Sequence, residues 1–294
     1  MILLNFVTAK GLRLGIKQGN RVIDAGASGQ RLGIEAPSSM EDLTSMGRRG
    51  LGKLESLLAV VGEEEQLPLD ALDLGPAIPR PGKIVCVGLN YRHHALEAGM
   101  DIPSEPILFS KFGNAITSSG SDIDISGMSQ VDYEAELGVV IGRKARTVKQ
   151  EQALDYVLGY CNANDVSDRG LQFRSSQWLL GKTADGFCPV GPWLRTPGPG
   201  FDAQGLRIRG WLNGELRQDH KTSDMIFGIA ELIAYISGHL TLEPGDLILT
   251  GTPKGVIMGR ESKNWIQHGD EYQVEIEGLG RLVNRFTTNT ESQV

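Results

Sequence analysis

The sequence predicts an α+β fold that is rich in β-strands, with a small N-terminal α/β domain ahead of a larger unit. Three observations support this prediction. Short segments of alternating or β-branched residues recur along the chain, many of the 38 glycines fall at turns between them, and helical periodicity is confined to a few stretches. The 294 residues are 40% hydrophobic and 22% charged, which is typical of a globular protein with a sizeable core.

The N-terminal part begins with a predicted strand meander over residues 1–28, followed by a helical region over residues 40–62. Leucines 51, 54, 57 and 58 follow helical spacing in that region. In the segment LPLDALDLGPAIPRPGK that follows, Pro68, Pro79 and Pro81 interrupt regular structure. We therefore expect an N-terminal domain over residues 1–75, a linker over 76–82 and a larger domain over 83–294.

The larger domain opens with KIVCVGLN, a predicted buried strand, followed by a helix in NYRHHALEAG that Asn90 caps and Gly99 ends. QEQALDYVLGY predicts a second helix, and residues 223–240 predict an amphipathic helix that Ser223 caps. LEPGDLILTGTPKGV predicts a strand that leads into a glycine-rich loop. The alternating segment DEYQVEIEGLGRLVNRF predicts a hairpin around Gly278 and Gly280.

Charge and motif content exclude several classes of function. The net charge is −7 without a basic patch, so we expect no nucleic-acid partner. No segment predicts a signal peptide or membrane span, and three cysteines without C-x-x-C spacing predict reduced thiols in a cytoplasmic protein. The motifs of zincins, serine hydrolases and Rossmann dehydrogenases are missing from the sequence.

The segment VDYEAELGVVIG carries the most informative pair of side chains. Glu134 and Glu136 are two residues apart in a predicted strand, so both point to the same face. The repulsion between two adjacent carboxylates is relieved by a proton or by a hard divalent cation. A solvated strand face is the alternative. Asp165, in NDVSDRG, offers a third carboxylate, although Asn-Asp at this place also suits an ordinary turn.

Three further groups have the chemistry of an active site. His94 and Glu97 are three residues apart on a predicted helix, where a carboxylate can orient an imidazole as a general base. A surface pair is the alternative, and His93 competes for the role. Lys182 lies in an apolar, tryptophan-containing stretch, where a buried ammonium needs an anion. The turn containing Thr252 suits a carboxylate or carbonyl oxygen, or is simply a tight turn.

Seven ordered segments of the chain resemble the fumarylacetoacetate hydrolase superfamily over about residues 83–286. They are VGLNYRHHALE, PILFSKFGNAI, VDYEAELGVVIG, NDVSDRGLQ, QWLLGKTADGFCPVGPW, LNGELRQDHKTSDMIF and LEPGDLILTGTPKGV. The resemblance implies a mixed β-sandwich roll, with the variable N-terminal domain of many members. It also implies a homodimer with sites near the subunit interface.

By this resemblance, Glu134, Glu136 and Asp165 bind Mg²⁺ or Mn²⁺, and Ca²⁺ also fits as a non-native occupant. His94 and Glu97 match the catalytic pair of the family, on a segment that often acts as a mobile lid, and Lys182 matches its active-site lysine. The positions assigned to substrate binding are Tyr91, Lys111, Arg169, Gln172 and Thr252. One segment departs from the family, because members often read NDVSARDLQ where Asp168 and Gly170 stand here.

The resemblance implies a metal-dependent enzyme whose partner is a small 2-oxo acid. We expect a hydrolase that cleaves the C–C bond of a 2,4-dioxo acid, such as an acylpyruvate, through a metal-bound enolate. Glu97 would orient His94, and His94 would activate water. The alternatives are an oxaloacetate-type decarboxylase and a 2-hydroxy-dienedioate isomerase of aromatic or sugar-acid catabolism. A metal-binding homologue without activity is the non-enzymatic alternative.

Overall fold

The computed structural model describes residues 1–62 and 66–288. It begins with the predicted meander, in which strands β1 (Ile2–Thr8), β2 (Gly11–Gln18) and β3 (Arg21–Asp24) are antiparallel neighbours. The turns between them place Gly11 and Gly19 at positive φ, where glycine is strain-free. Helix α1 (Ala25–Leu32) follows at once, because the carboxylate of Asp24 accepts a hydrogen bond from the N–H of Ala27.

The predicted helical region over residues 40–62 is confirmed as two helices, α2 (Met40–Met46) and α3 (Arg48–Leu58). Gly47 separates them with a φ of 55°, which interrupts the helical path. Ser39 and Asp42 form a reciprocal capping box at the start of α2. Leu43, Leu54 and Leu57 are buried, so both helices contribute to the core.

The other strands and helices follow in chain order. The strands are β4 (Leu67–Pro68), β5 (Ile84–Gly88), β6 (Ile107–Lys111), β7 (Ile116–Thr117), β8 (Asp122–Asp124), β9 (Val131–Asp132), β10 (Ala135–Ile141), β11 (Val157–Asn164), β12 (Ser167–Asp168), β13 (Cys188–Arg195), β14 (Arg207–Leu212), β15 (Glu215–Lys221), β16 (Leu247–Leu249), β17 (Glu271–Ile276) and β18 (Arg281–Thr287). The helices are α4 (Arg92–Glu97), α5 (Arg169–Gln172), α6 (Leu179–Lys182) and α7 (Ile229–His239).

Eleven strands of the described part of the chain form one mixed sheet. Its order is β4-β3-β2-β1-β13-β11-β10-β16-β5-β6, and β7 pairs with β13 alongside this path. Pairing of β1 with β13 joins the N-terminal meander to the sheet of the larger unit. The division into domains over residues 1–75 and 83–294 stays a prediction, and positions 63–65 and 289–294 of those ranges lie outside the described residues.

A second sheet has the order β15-β14-β17-β18-β8 and contains the predicted hairpin of β17 and β18. Gly278 and Gly280 take positive φ at its turn. Side chains from both sheets and from α7 share one buried cluster, which includes Val139, Ile208 and Ile233. The strand-rich architecture confirms the predicted α+β class with a β-sandwich roll. Among the described residues, no helix is both long and apolar enough to span a membrane.

Two predicted helices differ from the structure. Gln150–Tyr156 is a 3₁₀ turn, and the chain then enters β11, because the following buried residues pair with β10 on one side and β13 on the other. Ser223 lies in a short 3₁₀ turn and does not cap α7, which starts at Ile229.

Asn90 is also not the cap of α4; Tyr91 occupies that position. The side-chain amide of Asn90 forms hydrogen bonds with the main chain of Phe227 and Thr250, and thereby holds the segment just before α7. The predicted end of α4 is confirmed, since Gly99 takes a φ of 68°.

Candidate active site

Antiparallel pairing of β10 and β11 brings together the three carboxylates that the sequence singles out. Ala135 lies opposite Asn164, so the residues just outside that pair, Glu134 and Asp165, become neighbours. The N–H of Glu134 donates to the side-chain oxygen of Asn164 at 3.0 Å, and the N–H of Asp165 donates to the carbonyl of Glu134 at 3.0 Å. The register of two strands therefore fixes the site.

One carboxylate oxygen from each of Glu134, Glu136 and Asp165 lies within 4.8 Å of the others, and all three side chains are buried. Burial raises the pKa of Glu136 well above its usual range, and the neighbouring charges of Asp165 and Glu134 raise it further. Hard oxygen donors that approach one another closely are what a divalent ion of the Mg²⁺ class requires. These residues therefore fit a metal site.

Two buried lysines face the same carboxylates. Nζ of Lys182 lies 2.6 Å from Oε2 of Glu134 and 2.8 Å from Oδ2 of Asp165. Nζ of Lys111 lies 2.7 Å from Oδ1 of Asp165 and also donates to the carbonyls of Val166 and Lys182. Both ammonium groups have the anionic partner that burial demands. Lys111 lies behind Asp165, whereas Lys182 reaches the cavity described below.

Arg169 holds Glu134 from the other side. Its Nη2 lies 2.7 Å from Oε1 of Glu134, and its Nη1 donates to Oε1 of Gln172 at 2.9 Å. Burial alone would raise the pKa of Glu134, but Arg169 and Lys182 lower it well below its usual range. Glu134 is therefore the permanently ionised member of the carboxylate group.

Asp132 is a residue of the site that the sequence analysis missed. Its Oδ2 accepts hydrogen bonds from Nε of Arg169 and from the N–H of Met258, and its Oδ1 accepts from the N–H of Ile257. The signal was available, because Asp132 continues the two-residue alternation of Glu134 and Glu136. Asp132 thus completes a buried chain of contacts from the main chain of residues 257–258 to Glu134.

Helix α4 places His94 against the carboxylate group. His94 is buried, and its Nδ1 lies 3.5 Å from Oε2 of Glu97, a separation at which the two side chains pair without a hydrogen bond. The carboxylate of Glu97 instead accepts the N–H of Gly255. His93, the competing candidate, is exposed, and its ring centroid lies 6.4 Å from that of His220.

A cavity of about 40 Å³ lies between α4 and the carboxylates. Its walls contain seven residues proposed from the sequence: His94, Glu134, Glu136, Arg169, Gln172, Lys182 and Thr252. Among the described residues, the remaining four lie outside these walls: Tyr91, Glu97, Lys111 and Asp165. The cavity is smaller than the roughly 300–1,000 Å³ typical of small-molecule sites.

The two positions at which this sequence differs from the family pattern, Asp168 and Gly170, lie close together in the structure. The carboxylate of Asp168 accepts the N–H of Leu171 at 2.9 Å, which caps α5, and also the N–H of Ser129 at 3.2 Å. A Cβ at Gly170 would lie 3.1 Å from Oδ1 of Asp168. The carboxylate of Asp168 therefore leaves little room for a side chain at position 170, which glycine satisfies. Arg169, between these two residues, still contacts Glu134.

The segment that carries all of these groups matches a family model. Residues 83–287 match the C-terminal region of fumarylacetoacetate (FAA) hydrolase. The chain belongs to the fumarylacetoacetate hydrolase family. The family assignment agrees with the resemblance of the seven ordered segments, and members of this family among the relatives below are enzymes.

This family member is similar to oxaloacetate tautomerase FAHD2B, mitochondrial, from Bos taurus, with 41% identity over 94% of this chain and 87% of the relative. Among solved structures it resembles fumarylacetoacetate hydrolase from Exiguobacterium antarcticum, with a TM-score of 0.83 and 30% identity over 98% of this chain and 100% of the other. It also resembles maleylpyruvate hydrolase from Sphingobium sp. SYK-6, solved with manganese(II) and pyruvate, with a TM-score of 0.80 and 29% identity over 99% and 100% of the two chains.

Proposed function

We propose that the protein is a divalent-metal-dependent enzyme that acts on a small 2-oxo acid by stabilising its enolate. One observation carries the proposal: Glu134, Glu136, His94 and Lys182 line a single buried cavity, and Asp165 completes the carboxylate group behind it. The cavity thus combines oxygen donors for a cation, a group that can move a proton and an ammonium that can meet negative charge.

The carboxylates of Glu134, Glu136 and Asp165 would hold the ion, and we propose Mg²⁺ or Mn²⁺. When bound, such an ion polarises carbonyl and carboxylate oxygens as a Lewis acid. The manganese(II) and pyruvate in the related maleylpyruvate hydrolase support this choice of ion and of substrate class.

Apart from the metal ion, Lys182 and His94 are the side chains that act on the substrate. The ammonium of Lys182 is fully charged between Glu134 and Asp165 and stabilises negative charge that develops on a substrate oxygen. The imidazole of His94 lies in the cavity wall and takes or returns a proton. Thr252 and Gln172, also in the wall, offer polar atoms that orient the substrate carboxylate.

Between the reactions open to this site, we place keto–enol tautomerisation of an oxaloacetate-type acid first. The relative with 41% identity over 94% of the chain is an oxaloacetate tautomerase. His94 lies in the cavity wall and needs no water molecule to move a proton between carbon and oxygen of the acid. Decarboxylation of the same acid would use Lys182 but not His94.

Hydrolysis of the C–C bond of a 2,4-dioxo acid is the second candidate. The separation of 3.5 Å between His94 and Glu97 favours it, because a carboxylate beside the imidazole can orient the ring toward a water molecule. The two related structures named as hydrolases also support it. Hydrolysis requires that water reach His94 while the substrate is bound.

NMR-monitored turnover tests the proposal with Mg²⁺ or Mn²⁺ and again with EDTA. The substrates are oxaloacetate, an acylpyruvate and a 2-hydroxy-dienedioate, and Glu136→Gln is the control variant. Metal-dependent enol–keto exchange of oxaloacetate supports the tautomerase, whereas pyruvate plus a second carboxylic acid supports the hydrolase. Turnover that survives EDTA refutes the metal role, and metal binding without any turnover supports a homologue without activity.

We also propose a homodimer in the cytoplasm. Exposed apolar side chains, among them Leu96, Phe112 and the cavity-lining Phe173, suit a subunit interface. The cysteines Cys86, Cys161 and Cys188 are buried free thiols, as in a reducing compartment. Sedimentation of a monomer would refute the dimer, and recovery of the protein outside the cytoplasmic fraction would refute the location.

A further inference from the structure

The loop over residues 255–259 is in direct contact with the end of α4. Both carboxylate oxygens of Glu97 accept the N–H of Gly255, at 3.1 Å for Oε1 and 3.0 Å for Oε2. Glu97 is the last residue of α4, so this contact attaches the helix to the loop.

The loop admits Glu97 only because Gly259 has no side chain. A Cβ at Gly259 would lie 2.2 Å from Cγ and 2.4 Å from Cδ of Glu97, well inside van der Waals contact. Gly255 has a φ of 108°, and a Cβ there would lie 2.1 Å from the carbonyl oxygen of Arg217. The side chain of Glu97 therefore occupies the space that a side chain at Gly259 would take, whereas the carbonyl of Arg217 fills the space beside Gly255.

The loop is itself anchored to the carboxylate site. The N–H groups of Ile257 and Met258 donate to buried Asp132 at 2.8 Å and 3.0 Å. Asp132 therefore holds residues 257–258 of the loop, and Glu97 takes its position against the same loop through Gly255. That position leaves Oε2 of Glu97 3.5 Å from Nδ1 of His94.

We propose that Gly259 is a positioning residue, which sets the carboxylate of Glu97 against the imidazole of His94 by leaving room for it on the loop. The proposal rests on the proposed function, in which His94 moves the proton. Gly259 acts through Glu97 and does not touch the substrate. A side chain at this position pushes Glu97 away from both Gly255 and His94.

The test is Gly259→Ala, with Gly113→Ala as the matched control, since a Cβ at Gly113 meets no atom within 4 Å. Hydrogen exchange of the Gly255 amide reports the contact without any need for activity. We expect faster exchange in Gly259→Ala, as in Glu97→Ala, and unchanged exchange in Gly113→Ala. Unchanged exchange in Gly259→Ala would overturn the proposal even if the enzyme acts on none of the acids tested.

Kinetics of the metal-loaded enzyme distinguish an effect of Gly259 on the position of Glu97 from a general effect on the fold. Gly259→Ala should lower kcat by about 10- to 100-fold with little change in KM, because a misplacement of about 1 Å can cost that much. In a Glu97→Ala background the same substitution should have almost no further effect. An equal loss in both backgrounds would mean that Gly259 matters only for the fold.

Discussion

Nε and Nη2 of Arg169 both lie 2.9 Å from Oδ2 of Asp132, and both side chains are buried. This ion pair connects the proposed metal ligand Glu134 to the loop that carries Ile257 and Met258. Burial would lower the pKa of Arg169, but Glu134 and Asp132 raise it beyond its usual range, so the guanidinium stays charged. The orientation of Glu134 therefore depends on a residue that does not itself face the metal site.

Asp132→Asn should weaken Mn²⁺ binding by about 10- to 100-fold, because loss of a group that orients a metal ligand typically costs that much. An amide presents a donor to the donors of Arg169, which then has one carboxylate partner instead of two. Calorimetric titration with Mn²⁺ measures the affinity. Asp122→Asn, in an exposed position, is the control. Equal affinity in both variants would show that Asp132 does not orient Glu134.

Glu136→Gln should raise the melting temperature of the metal-free protein. At neutral pH the folded protein must either take up a proton at Glu136 or tolerate its repulsion from Glu134 and Asp165, and a neutral amide removes this cost. A gain of about 2–4 °C corresponds to about 1 kcal/mol in a large domain. Thermal unfolding in EDTA measures the effect. A fall in the melting temperature would contradict the charge argument.

Asp168→Ala should destabilise the fold by about 1 kcal/mol, because it removes the cap of α5. Arg169 remains in contact with Asp132 and Glu134, so metal affinity should change little. Urea unfolding measures the free energy of unfolding. Gly170→Ala should lower that free energy less in the Asp168→Ala background than in the wild-type protein, because the carboxylate of Asp168 that a Cβ at position 170 would meet is then missing. Loss of metal binding in Asp168→Ala would show that the α5 cap also supports the metal ligands.

The three cysteines should not react with a thiol reagent in the folded protein. Cys86, Cys161 and Cys188 are fully buried, and burial raises the pKa of all three thiols. Titration with a chromogenic disulfide should detect no rapidly reacting thiol before denaturation and three after it. A rapidly reacting thiol in the native protein would mean that the core around the carboxylates opens readily.

The sequence predicted the residue types of the site better than their arrangement. Alternation was enough to place Glu134 and Glu136 on one face, and helical spacing was enough to pair His94 with Glu97. The meeting of these carboxylates with Asp165 depends on the register of β10 and β11, which local sequence does not determine.

The differences from the predictions have tertiary causes. The helical pattern after Lys149 yields to a strand because β11 is paired on both sides, and Asn90 contacts a distant segment instead of its own helix. The assignment of Lys111 to substrate binding, made from the family resemblance, stays a prediction, and its ammonium pairs with Asp165 at 2.7 Å. Contacts between residues far apart in sequence decide each case.

The central claim is that Glu134, Glu136 and Asp165 together bind a divalent ion. Titration of EDTA-stripped protein with Mn²⁺, followed by electron paramagnetic resonance, tests it most directly. We expect one tight site for each chain, and loss of that site in Glu134→Gln, Glu136→Gln and Asp165→Asn, with an unchanged fold by circular dichroism. No binding to the wild-type protein, or binding that survives all three substitutions, would contradict the claim.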